Sequence, residues 1–214
     1  MEGHWCGGRL YGALTLYGDR IDHYIYLRPD GYALTVRGAF PVFHYVATDA
    51  WLHGADLTLE YRINGTWSLR DRSSIVRGRD RVRDEWLFLM PADRTENALI
   101  YRRPACGTWK QLEVTATSTY ILRQTRIPIG LDFAPPPGAY HLVGLGVSIV
   151  RPLKHGELRM GLQANNLFNT AYRDYLDRFR YYADARGTDL DVRVAYTFGK
   201  KTNAAQAAPN QQQR

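Results

Sequence analysis

The chain is poor in cysteine, poor in lysine and without any long apolar run. Its 2 cysteines, Cys6 and Cys106, form no C-x-x-C pair and no zinc spacing, so no disulfide framework is implied. No stretch of ~18 apolar residues occurs, which excludes a membrane-spanning helix. Of the 28 basic residues only Lys110, Lys154, Lys200 and Lys201 are lysines, and the arginines are spread along the chain. A net charge of +7 therefore argues for anionic lipid headgroups or an anionic ligand, and not for nucleic acid. Met1 to Gly8 lacks the basic and apolar parts of a signal peptide. A Gly-rich phosphate loop, a Ser-centred elbow and a definable carboxylate pair are all missing, so no enzyme and no cofactor is expected. His4, His23, His44, His53, His141 and His155 are scattered without an i,i+4 pair, and no metal site is expected.

What the chain does have is alternation. In Thr188 to Phe198, residues Leu190, Val192, Val194, Tyr196 and Phe198 fall on one side and Asp189, Asp191, Arg193, Ala195 and Thr197 on the other. That period of two marks a strand with one apolar and one polar face. Leu57, Leu59, Tyr61 and Ile63 alternate in the same way with Asp56, Thr58, Glu60 and Arg62, and then meet Asn64-Gly65, a strong hairpin signal. Leu112, Val114, Ala116 and Tyr120 alternate with Glu113, Thr115, Thr117 and Thr119; Val143, Leu145, Val147 and Ile149 alternate with Gly144, Gly146 and Ser148. Leu158, Met160, Leu162 and Ala164 alternate with Arg159, Gly161, Gln163 and Asn165.

Taken in order, the pattern predicts about eight strands: 10–27, 43–63, 67–76, 97–103, 109–124, 141–150, 158–168 and 188–198. The connections alternate between long and short. The long ones are 28–41, the charge-dense 77–94, the Pro-rich 127–138 and 169–187; the short ones centre on Asn64-Gly65, Cys106 and His155. Such strands, with short turns at one end and long loops at the other, describe an all-β antiparallel transmembrane β-barrel with periplasmic turns and extracellular loops. Aromatics gather near strand ends, as interfacial girdles require: Tyr61, Trp67, Tyr101, Trp109, Tyr196 and Phe198 by the turns, and Tyr26, Phe43, Tyr120, Tyr140 and Phe168 by the loops. One residue conflicts. Asp71 shares the apolar face of Trp67 and Leu69, where a charge costs ~0–4 kcal/mol by depth, so a bulge or a near-interface position is expected. Cys6 and Cys106 would lie strands apart, at ~4.8 Å per strand, beyond disulfide reach. The soluble alternative, a sandwich or lipocalin-like barrel, need not carry its long loops at one end only.

Several segments resemble TonB-dependent outer-membrane receptors. Asn166-Leu167-Phe168-Asn169, Arg178-Phe179-Arg180-Tyr181-Tyr182 and the last strand resemble the C-terminal end of that family. Asp19-Arg20-Ile21-Asp22-His23-Tyr24-Ile25 and Thr48-Asp49-Ala50-Trp51-Leu52-His53-Gly54-Ala55-Asp56 are similar to two further strands, with Asp56 where the family has Glu. The resemblance implies a barrel of about 22 strands with a plugged lumen, of which these would be the last eight. Residues 1–8 are expected to be an irregular start, 9–198 a partial receptor barrel and 199–214 a disordered tail. The implied function is active uptake of a scarce nutrient (iron–siderophore, haem, cobalamin, metal or glycan), energised by TonB. Without plug and TonB box the fragment alone is expected not to transport.

The resemblance also implies a cell outer membrane location, with lipid, lipopolysaccharide and the barrel-assembly machinery as partners, the TonB complex through the missing N-terminal part, and a nutrient chelate as ligand. Val192, Val194, Tyr196 and Phe198 are the candidate assembly signal, although residues follow Phe198. Arg77, Arg79, Arg81 and Arg83, with Tyr172, Arg173 and Tyr175, are candidate extracellular ligand-loop residues. The plain alternative for the arginine run is a solvated loop, and for the tyrosines loop packing. A rival reading is a free-standing eight-stranded barrel with a structural or adhesion role. Gly144, Gly146, Ser148 and Gly161 argue against it, because a small closed barrel fills its interior with side chains.

Overall fold

The computed structural model describes residues 2–5, 7–104 and 107–198. The alternating segments pair into a single antiparallel sheet. Its strands are β1 Glu2–Trp5, β2 Leu10–Thr35, β3 Gly38–Arg62, β4 Trp67–Asp80, β5 Glu85–Trp86, β6 Arg94–Arg103, β7 Gln111–Ile121, β8 Tyr140–Leu153, β9 Gly156–Asn165 and β10 Asp189–Phe198. Each long strand pairs with the next in sequence, and β5 is a short addition to β4. The order runs from β1 to β10 without returning, so the sheet has two free edges among the described residues.

Register follows the pleat. Tyr61 lies opposite Leu69, Leu69 opposite Leu99, Leu99 opposite Ala116, Ala116 opposite Leu145, Leu145 opposite Ala164 and Ala164 opposite Leu190. Every apolar face therefore stays on one side of the sheet, since a slip of one residue would turn it over. That face has no protein partner: Leu59, Leu69, Leu99, Leu145 and Leu162 are 38–48 % exposed. A contiguous apolar surface of this extent marks contact with something other than water.

The eight long strands expected from the sequence are present, with four corrections. The start is not irregular, because Glu2–Trp5 pairs with Leu10–Ala13. Residues 28–41 are not a loop but the paired ends of β2 and β3, turning at Val36-Arg37. Two prolines and Gly31 suggested a loop there. The ribbon accommodates them through a register shift between Pro29 and Tyr32, with Gly31 at φ 75°. The charged stretch from Arg77 is also partly strand, since β4 runs on to Asp80. Finally, no bulge occurs at Asp71, where pairing on both sides is continuous. Its carboxylate instead accepts from Ser73 Oγ at 3.1 Å and Thr95 Oγ1 at 2.9 Å.

The turns are tight where the sequence places them. Asn64 Oδ1 accepts from the Thr66 and Trp67 amides and the Thr66 hydroxyl, each at 2.9 Å, closing the β3–β4 hairpin. Trp67 and Tyr101 then pair across strands at 4.9 Å. Cys106 and the tail after Phe198 lie outside the described residues.

Candidate functional site

At the end opposite the turns, residues 81–93, 122–139 and 166–188 fold together with the β2–β3 ribbon. Tyr26, Ala50, Leu87, Phe88 and Tyr175 are buried there as one cluster, with Phe43, Leu52 and Met90 packed around them. Phe43 lies 6.2 Å from Phe88 and 5.3 Å from Phe133, and Tyr32 lies 4.8 Å from Phe133. The chain thus builds its main buried apolar cluster at the loop end, between the β2–β3 ribbon and the loops folded against it.

Three polar knots, two buried and one half-buried, lock this cap. Asp80 is fully buried and accepts from Thr48 Oγ1 at 2.6 Å, Tyr26 OH at 3.2 Å and the Val82 and Arg83 amides at 2.9 Å each. Asp93 takes a two-pronged bond from Arg77, at 2.6 and 2.9 Å, and a third from Arg126 at 2.7 Å. Burial works against the Asp93 charge, but the two guanidiniums outweigh it and hold the carboxyl below the usual carboxylate range. The third knot joins two loops: Arg180 donates to Asp132 at 2.5 Å, with side chains 1 % and 5 % exposed. The guanidinium lies over the Tyr175 and Tyr181 rings, 4.8 and 4.4 Å from their centres. Tyr181 OH donates to Asp132 at 2.7 Å; burial first, then this bond, pushes its phenol up.

Beneath the loops, the polar face of the sheet is hollow. A cavity of about 340 Å³ is lined by Glu96, Thr117, Thr119, Gln163, Asn165 and Asp189 from the strands, with Tyr172 and Arg186 from the loop above. A second, of about 420 Å³, shares Gln163 and runs toward the turns past Glu113, Arg159, Asp191 and Arg193. The floor is glycine. A Cβ on Gly144 would stand 2.6 Å from Thr117 Oγ1, and one on Gly146 would run into Gln163 Oε1. The strands position these groups because every second residue faces this side.

The residues singled out from the sequence are dispersed. Arg77 is committed to Asp93, Arg79 to Asp84 at 2.5 Å with its guanidinium over Trp86, and Arg83 to Asp80 at 3.0 Å. Arg81 is exposed. Arg173 bonds Asp184 at 2.6 Å and the Arg180 carbonyl at 2.9 Å. Tyr175 does not line an opening; it is 4 % exposed inside the cap, and Tyr26, expected in a girdle, is buried beside it. Tyr172 stacks on Tyr140 at 4.5 Å and borders the smaller cavity. Val192, Val194, Tyr196 and Phe198 share the exposed apolar side of β10. The cavity's strand residues were legible only as polar-face positions; Gly144, Gly146 and Gly161 were the available signal.

No protein-family model matches the chain, and no curated protein matches it in sequence. Among solved structures it is similar to the copper transporter OprC, with a TM-score of 0.70 and 17 % identity. The match covers 91 % of this chain and 30 % of that one. The likeness carries the fold: an all-β antiparallel sheet of the outer-membrane barrel type.

Proposed function

We propose that the chain forms part of the wall and the loop cap of a TonB-dependent outer-membrane receptor, corresponding to its C-terminal strands. The observation that carries this reading is the one-sided sheet. It has an apolar face without a protein partner, a polar face with cavities, two free edges, and a cap of long loops at one end only. Lipid is the partner such an apolar face requires, and a wet lumen suits the opposite face. The free edges weigh against a self-closed eight-stranded barrel, which needs β10 to pair with β2. The neighbouring fold is that of a copper transporter; copper is one candidate cargo beside iron–siderophore, haem, cobalamin, another metal or a glycan. Of the singled-out residues, we take Tyr172, at the edge of the smaller cavity, and the exposed Arg81 as the ones that meet a ligand, with Arg173 bracing the loop through Asp184. Val192, Val194, Tyr196 and Phe198 supply the assembly signal. No catalytic role is proposed.

Membrane fractionation of cells making the protein tests this reading. The expected result is recovery in the outer membrane, with proteolytic cleavage from outside the cell near Arg81–Asp84 or at Val36-Arg37. Recovery in a soluble fraction would overturn it.

A further inference from the structure

We propose that the smaller cavity beneath the loops binds an uncharged polyhydroxylated ligand, a sugar or oligosaccharide. The inference rests on reading this face as the lumen of a transport barrel, and it names the cargo class.

The argument is one of hydrogen-bonding inventory. The two amides, Gln163 and Asn165, offer both donors and acceptors, and the hydroxyls of Thr117 and Thr119 offer the same. Glu96 and Asp189 only accept when ionised, and Arg186 only donates. Among the described residues none of these three charged side chains has a hydrogen bond or ion pair, so their capacity remains for a ligand. Gln163 gives one amide hydrogen to Asn165 Oδ1 at 3.3 Å, and Asn165 in turn donates to Asp191 at 3.3 Å, which orients the row.

An anionic chelate would meet two carboxylates, and a compact cation would meet Arg186. A ligand that donates and accepts at closely spaced positions without net charge meets neither penalty. Adjacent hydroxyl groups have that property. Tyr172 adds an aromatic ring at the loop side for the ligand's C–H surface. The volume of about 340 Å³ lies within the ~300–1,000 Å³ of small-molecule sites. Glycine at the floor keeps the space open: a Cβ at Gly144, which lines this cavity, would stand 2.6 Å from Thr117 Oγ1.

The test presents the full chain, in outer-membrane preparations, to immobilised xylo-, cello-, malto- and chito-oligosaccharides, with inorganic phosphate and citrate as competitors. Saturable retention on at least one neutral oligosaccharide, undisturbed by either anion, is expected. Asp189→Asn and Glu96→Gln should each weaken retention about tenfold, because the neutral amide oxygen accepts a weaker hydrogen bond than the carboxylate it replaces. On the unaltered chain the bound oligosaccharide should slow hydrogen exchange in residues 186–191, a readout that needs no variant to fold. Absence of retention on every sugar overturns the proposal, as does displacement by phosphate or citrate, or retention unchanged in both variants. A chain found in the outer membrane but blind to sugars loses only the cargo class. A chain found outside it loses the barrel reading as well.

Discussion

At the scale of single residues, Asp93 and Arg180 are the side chains on which the cap depends. Asp93 is held below the ordinary carboxylate range by Arg77 and Arg126. Its contribution is therefore complete above ~4, the unfolded carboxylate value, and is lost as pH falls through the lower folded one. Hydrogen exchange of residues 81–93 should accelerate in that acidic window. Asp93→Asn should accelerate it at neutral pH and weaken the acid step, leaving the part that the Asp80 carboxylate contributes through the Val82 and Arg83 amides. Arg180 presents the opposite kind of test, because its ion pair with Asp132 is nearly dry. Arg180→Met alone leaves Asp132 buried and unpaired, at a cost of about 3–5 kcal/mol. Adding Asp132→Leu should recover most of that loss. Protease susceptibility of residues 122–139 across the single and double variants checks the order.

At the scale of elements, each strand carries two different solvents on its two sides. Leu145 and Thr115 lie on the adjacent strands β8 and β7 but on opposite faces. Leu145→Arg should cost about 2–4 kcal/mol in a bilayer, whereas Thr115→Arg on the wet face should cost little. Urea titrations of the two variants in lipid vesicles would separate lipid from water on the two sides; equal costs would contradict the assignment. The β3–β4 hairpin offers a smaller test. Asn64→Ala removes three hydrogen bonds from one turn and should lower stability by about 1 kcal/mol, measured in the same titration.

At the scale of the whole molecule, the open sheet makes a prediction of its own. The amide groups of β10 that point away from β9 have no partner among the described residues. Alternate amides of Asp189–Phe198 should exchange quickly, while those of β7 and β8 stay protected on both sides. An unpaired edge also templates association, so the isolated chain should form edge-to-edge oligomers in detergent, visible by light scattering. Uniform protection of β10 would mean that its edge is closed after all.

The sequence by itself determined the strands, their two faces and their turns. Leu190 to Phe198, the Asn64-Gly65 hairpin and the glycines of β8 are local signals, because a pleat repeats every second residue and a turn needs its own backbone geometry. Alternation could not say where β2 and β3 stop, since a hairpin continuing above the sheet looks like a polar loop when prolines interrupt it. Nor could it foresee the fate of the arginines or of Tyr175. Asp93 lies far in sequence from Arg126, as Asp132 does from Arg180. Only folding the loops back over the sheet brings them together. The tertiary structure therefore decided the cap and the cavity, because both are made of contacts between segments that no local pattern links.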